Sequence, residues 1–196
     1  MFSDLDTRPP KPLHAISRET AALGFDMSSD MQTGSLLRFL AGEASTRSIL
    51  ELGTGTGVSS CWLLDGMDAQ AKLISVDIDG AVQQVAQRHL GSDPRATFYE
   101  GDALDFLEGL DDESVDLLFA DAWPGKFEGL DLALSKLKVG GVYLVDDLLP
   151  QPSWLENHLP DVNRLIECLT SNTALQTLKL DWSSGLLLAR KIDSTP

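Results

Sequence analysis

The chain has 196 residues, enough for one domain with a full core, and its 43% hydrophobic and 23% charged residues are ordinary for a globular protein. A formal net charge of −15 argues against broad binding to a nucleic-acid backbone, which needs clustered Lys and Arg. No apolar run reaches the ~18–20 residues of a membrane helix, and the opening MFSDLDTRPPKPLH lacks the apolar core of a signal peptide. A cytoplasmic protein with neither a membrane nor a nucleic-acid partner is the expectation. Cys61 and Cys168 show no metal-ligand spacing and read as buried small apolar residues in a reducing compartment.

Residues 1–14 carry Pro9, Pro10 and Pro12 and read as an extended lead. Helical segments follow around residues 16–23 and 28–42, the second with a stripe of Leu36, Leu37, Leu40 and Ala41. Residues 1–27 are taken as an arm and helix, and 28–196 as the main domain. Ile49, Leu50 and Leu52 form a short apolar run typical of a buried parallel strand. The run carries Glu51 and ends in Gly53, Gly55 and Gly57, with Thr54 between the first two, before a helix over 58–65. Glycines at alternate positions let the backbone turn sharply and bring a ligand against bare main chain. Strand, glycine turn and helix together make a nucleotide-binding corner of an α/β sheet. The dinucleotide fingerprint needs a glycine where Val58 stands, and no Gly-Lys-Ser/Thr of a P-loop follows.

The second strand, 72–76, delivers Asp77 twenty residues beyond Gly57, with Ile78 next to it. A carboxylate at that strand tip matches the paired hydroxyl donors of a ribose. Asp79 is expected to cap a helix whose Val82, Val85, Ala86 and Leu90 face the core. His89 is assigned no role. A third strand, 96–100, leads into Asp102 and Ala103, where Asp102 either meets the nucleotide or caps the helix over 103–107, or does both. Residues 111–113 read as a solvated acidic loop. The fourth strand, 115–120, brings Asp121-Ala-Trp-Pro-Gly-Lys126 to its carboxyl end, where ligands of open α/β sheets bind. A helix with Leu130, Ala133, Leu134 and Leu137 follows. A turn over 138–141 then enters strand 142–145, which ends in Asp146-Asp147. After a helix carrying Val162, Leu165, Ile166 and Leu169, runs 175–181 and 186–190 close as a hairpin across 182–185, so one terminal strand is antiparallel. The predicted fold is α/β: a Rossmann-like, seven-stranded, mostly parallel sheet with an antiparallel C-terminal strand and helices on both faces.

An acid followed by Gly-x-Gly-x-Gly resembles motif I of the class I S-adenosylmethionine (SAM) methyltransferases. Across residues 30–191 the chain resembles the small O-methyltransferases related to catechol O-methyltransferase and the bacterial metal-dependent forms. The resemblance implies that Glu51, Gly53, Thr54, Gly55 and Gly57 form the cofactor turn. It implies Ser59 at the methionine carboxylate, Asp77 with Ile78 at the ribose, and Asp102 with Ala103 at the adenine. Asp121 matches the first metal ligand and Trp123 the tryptophan beside it, while Asp146 and Asp147 stand where the family has an Asp-Asn metal pair. The implied activity is methyl transfer from SAM to a hydroxyl of a small, phenolic acceptor, with Mg²⁺ or another divalent ion held by Asp121, Asp146 and Asp147. A basic partner would serve the three carboxylates equally, and Asp146-Asp147 as plain caps stay open. The family lysine three residues past the first Asp is replaced by Pro124, leaving Lys126 as the nearest base. Trp123 and Trp154 are candidate walls for the acceptor, and a homodimer is expected. The rival readings are a non-catalytic SAM-binding module and a nicotinamide-dependent oxidoreductase.

Overall fold

The computed structural model describes residues 8–150 and 158–193. The 49–52 run lies in strand β1 (Ser48–Leu52), and the parallel set continues with β2 (Lys72–Asp77), β3 (Ala96–Glu100), β4 (Val115–Ala120) and β5 (Leu137–Val145). Strands β6 (Leu175–Leu180) and β7 (Leu186–Lys191) close the sheet in the order β3-β2-β1-β4-β5-β7-β6. β7 runs antiparallel to both β5 and β6, as the hairpin requires. The order reverses direction between β1 and β4, so the crevice of this sheet opens at their carboxyl ends.

Alternation along the strands divides the core in two. Ile49, Leu73, Leu117 and Phe119 face helices α1 (Leu13–Leu23), α2 (Met31–Ala41), α3 (Val58–Gly66) and α4 (Gly80–Leu90). Leu50, Leu52, Leu118 and Ala120 face α5 (Ala103–Glu108), α6 (Leu130–Lys136) and α7 (His158–Ser171). Successive side chains of a strand point to opposite faces, so a doubly covered strand must be apolar at nearly every position. Glu51 breaks that rule: it is fully buried on the α3 side. Helices α2 and α3 come close because position 34 is glycine; a Cβ there would stand 2.3 Å from the Trp62 ring.

Four expectations are corrected. Helix α1 begins at Leu13 behind Pro12, so the extended lead is shorter than the prolines suggested; residues 1–7 lie outside the described chain. Residues 138–141 sit within β5, where Leu137 and Val142 pair with Val115 and Leu117 across a register shift, and Gly140 takes φ +89°. Leu137 therefore opens β5 instead of ending α6. Cys61 is buried but Cys168 is exposed, on the outer side of α7. Among the described residues no helix is long and apolar enough to cross a membrane.

Candidate active site

The glycine turn after β1 depends on left-handed backbone, with φ of +96°, +52° and +89° at Gly53, Gly55 and Gly57. Proximity adds a second reason at Gly53, where a Cβ would meet the Asp121 carbonyl at 2.9 Å across the β1–β4 crevice. Asp77 holds the turn in place, one carboxylate oxygen accepting from the Gly55 N–H at 2.7 Å and the other from the Asp79 N–H at 2.8 Å. Behind the turn, Thr54 Oγ1 and Ser75 Oγ lie 2.6 Å apart, and Gln83 donates to Thr54 at 2.9 Å. Glu51 is deeper still. One of its oxygens accepts from the Ser60 and Ser75 hydroxyls, and the other is buried with no partner. Burial pushes its carboxyl up to about 7, against the pull of the serine hydroxyls and with a further rise from Asp77.

A cavity of about 400 Å³ opens above this turn, within the size range of small-molecule sites. Ten predicted nucleotide residues line it: Gly53, Thr54, Gly55, Ser59, Asp77, Ile78, Asp102, Ala103, Asp121 and Trp123. Glu51 and Gly57 do not; they support the turn from below, Gly57 packed so tightly on Ala86 that a Cβ would lie 2.6 Å from that methyl. Asp102 also caps α5, accepting from Leu104 N–H at 2.7 Å, and Asp79 caps α4 through Ala81 and Val82. His89 pairs with Glu19 at 2.7 Å and stays outside the site.

The roof comes from Phe25, Met27, Ser28 and Ser29, which line the same cavity. The sequence reading places Ser28 and Ser29 inside the helix over 28–42, but α2 begins only at Met31, so all four lie in the connector between α1 and α2. Phe25 sits 3.1 Å from where a Cβ of Gly55 would be, and Ser29 donates to Asp121 at 3.0 Å. Thr20 of α1 donates to Thr56 at 2.8 Å, tying the helix under this roof to the turn. A connector has no hydrophobic period to betray it; only Gly24, the left-handed cap of α1, marks it in the sequence.

A second cavity, of about 590 Å³, adjoins the first and shares Met27, Ser28, Ser29, Asp121, Ala122 and Trp123 with it. Asp146, Asp147, Lys126, Phe127, His158 and Ser184 line its far side. The Pro124-Gly125 turn delivers Lys126: Gly125 takes φ +79°, Tyr143 of β5 donates to the Gly125 carbonyl at 2.8 Å, and Lys126 ends 5% exposed. A displacement of two residues from the family lysine thus still puts an amine in the cavity that Asp121 lines. The Trp123, Phe127 and His158 rings pack together with centroids 4.7–5.8 Å apart. Trp154 lies outside the described residues.

Burial, reinforced by the charges of Asp146 and Asp147, raises the Asp121 carboxyl well above the usual carboxylate range, with Lys126 and the Ser29 hydroxyl opposing. Asp146, 2% exposed, is pushed up to about 6 by burial despite the Ser184 hydroxyl and the Asp147 N–H that its Oδ1 accepts from. The expected metal set does not fit. Among the described residues no group of three or more His, Cys, Asp and Glu side chains is spaced to hold an ion. Asp146 and Asp121 instead spend oxygens on Ser184 and Ser29, and the compensating charge is the Lys126 ammonium.

A glycine turn, a ribose-type acid, a capped third-strand acid and a second cavity beyond β4 and β5 define the class I methyltransferase architecture. The chain belongs to the methyltransferase-domain family, whose model matches residues 50–148. The nicotinamide reading falls with that assignment. A relative from Mycobacterium sp. (strain KMS), provisionally named an O-methyltransferase, is 38% identical over 117 residues, 56% of this chain and 52% of its own. The chain spans about half the length of the curated relatives it matches. Among solved structures, the O-methyltransferase TomG from Streptomyces achromogenes, in complex with SAM, is 25% identical with a TM-score of 0.84. That likeness covers 98% of this chain and 94% of TomG. The O-methyltransferase from Bacillus cereus, in complex with SAH, shares the fold at 21% identity and a TM-score of 0.83 over 96% of this chain and 94% of its own.

Proposed function

We propose that the protein transfers a methyl group from SAM to a hydroxyl oxygen of a small molecule, with a phenol as the natural kind of acceptor. The observation that carries this reading is the pair of adjoining cavities: one lined by the glycine turn, Asp77 and Asp102, the other by Lys126 and the β5 acids, with Asp121 and Trp123 between them. When bound, SAM supplies a sulfonium methyl whose S–C bond breaks, its electron pair staying on sulfur, as the C–O bond forms at the acceptor.

Everything else falls to the chain. Asp77 accepts from the ribose hydroxyls while still holding Gly55, and Ser59 and the bare backbone of the turn take the methionine end. Asp121, at the boundary of the two cavities, fixes the approach of the acceptor in line with the methyl, which turns a chance encounter into an oriented one. The Trp123 ring walls an aromatic acceptor. Lys126, the ammonium that faces Asp121 and Asp146, first releases a proton to solvent and then takes the hydroxyl proton as the oxygen attacks. The connector over residues 25–29 excludes water from the reacting centre.

Calorimetric titration with SAM and with S-adenosylhomocysteine, followed by methyl release onto a panel of phenols, tests the reading. Binding of both nucleotides with turnover on a phenol supports it. Binding without turnover on any hydroxyl acceptor favours the non-catalytic SAM-binding module, and no binding of either nucleotide removes both.

A further inference from the structure

Glu51 has no reason in the fold to be an acid. It sits in β1 between Leu50 and Leu52, on a strand covered from both faces, where packing alone calls for an apolar side chain. The turn above it is set by the left-handed glycines and anchored by Asp77, so the turn needs no carboxyl underneath. Yet the side chain is fully buried, and Oε1 meets no hydrogen-bond partner among the described residues. A buried carboxyl left in that state is costly.

The polar groups around it donate in its direction. Ser60 and Ser75 both donate to Oε2. With the Ser75 proton committed there, its 2.6 Å contact with Thr54 is a donation from Thr54, which in turn accepts from Gln83 at 2.9 Å. A file of donors aimed one way favours a negative charge at its end. Thr54 and Ser59 also line the nucleotide cavity, and the Ser59 hydroxyl does most to hold the Glu51 carboxyl down. Burial opposes ionisation first, and the charge of Asp77 on β2 after it. In register, Glu51 faces Ser75 of β2 and the apolar Phe119 of β4.

A positive charge would complete this arrangement, and the cavity above is where one arrives. SAM carries a sulfonium besides its ammonium and carboxylate, whereas S-adenosylhomocysteine has lost that charge with the methyl. Little water screens a buried carboxylate from a charge beside it. We propose that Glu51 tells the cofactor from its spent form: it gives up its proton when SAM settles on the turn and stays protonated under S-adenosylhomocysteine. The proton goes to solvent when SAM binds and returns once the methyl has left, so Glu51 touches no reacting atom and acts through charge alone. SAM is thereby held more tightly than its product, by a margin that grows with pH. This inference rests on the methyltransferase reading and adds to it the residue that separates cofactor from product.

The test is titration calorimetry of the full chain at about pH 6.5 with each nucleotide, in PIPES and in imidazole buffer, whose different heats of ionisation count the protons exchanged. SAM is expected to release on the order of half a proton, and S-adenosylhomocysteine much less. From about pH 5.5 to 7.5 the ratio of the two affinities is expected to move towards SAM by roughly tenfold. Glu51→Gln keeps the shape of the protonated acid and removes most of both effects. Asp121, whose raised carboxyl lines the same cavity, titrates in both proteins, so the comparison isolates Glu51. Equal heats for SAM in the two buffers overturn the proposal on wild type alone. So does equal release by the two nucleotides, or a release that the variant keeps at wild-type size, which assigns the proton to Asp121. Failure of both nucleotides to bind is a different outcome: it removes the methyltransferase reading and this inference with it.

Discussion

Glu51 makes stability depend on pH in a direction opposite to most carboxylates. The group is fully buried, one oxygen has no partner, and its carboxyl is raised from the ordinary 4.5 to about 7. Between those two values the folded protein keeps a proton that the unfolded chain releases, so stability falls as pH rises through the window and levels off above it. The rise of about 2.5 pH units, at about 1.4 kcal/mol each, amounts to about 3 kcal/mol lost between pH 4.5 and 8. Glu51→Gln keeps the shape and removes the titration. Urea unfolding of both proteins at pH 5 and pH 8, without nucleotide, reads the difference directly. Wild type is expected to lose about 2–3 kcal/mol more than the variant over that interval, or roughly 5–10 °C in Tm for a chain of this size. Asp121 and Asp146 are raised too and contribute in both proteins, so the comparison isolates Glu51. The same pH dependence in both would refute the reasoning: Glu51 would then be ionised in the fold, paired with something the serine cluster does not provide.

Asp77→Ala removes the ribose acceptor and the anchor of Gly55, and SAM affinity measured by calorimetry is expected to fall roughly 10- to 100-fold; unchanged affinity would move the ribose elsewhere. Lys126→Met is expected to lower kcat about 10²- to 10⁴-fold while SAM binds as before, and a variant of wild-type rate would show that another group takes the proton. Because the three carboxylates are not spaced to hold an ion among the described residues, EDTA and added Mg²⁺ are expected to leave turnover on a phenol the same; a Mg²⁺ heat that disappears in Asp146→Ala would contradict this. Gly34→Ala forces a methyl into the buried Trp62 ring and is expected to cost about 1–3 kcal/mol in urea unfolding, with an unshifted midpoint showing that α2 can slide.

Much of the architecture was legible in the order of residues. The strand at 49–52, the glycine turn, Asp77 at the second strand tip and the terminal hairpin each rest on a local rule: apolar runs between turn residues, left-handed glycines, a short loop between two strands. Caps behave the same way, so Asp79 and Asp102 stand where their helices begin. Local rules stop at the boundaries that pairing decides. Leu137 looked like the end of a helix stripe, yet the register of β5 on β4 takes it into the strand.

The acceptor side of the site was decided only by tertiary structure. Phe25 and Ser29 come from a connector with no period, and they meet Gly55 and Asp121 because α1 is tied to the turn through Thr20 and Thr56. His158 and Ser184 reach the second cavity from α7 and from the loop between β6 and β7, elements distant in sequence from Asp121. The sequence supplied Lys126 as a base without saying where its amine would sit; the left-handed Gly125 and the Tyr143 hydroxyl place it. It also supplied three acids that read as a metal set, while the serine partners of Asp121 and Asp146 exist only in the fold. Residue types and spacing determine which chemistry is present, because backbone rules act over a few residues. Which groups face one another across a cavity is set by long-range packing, and no local pattern encodes it.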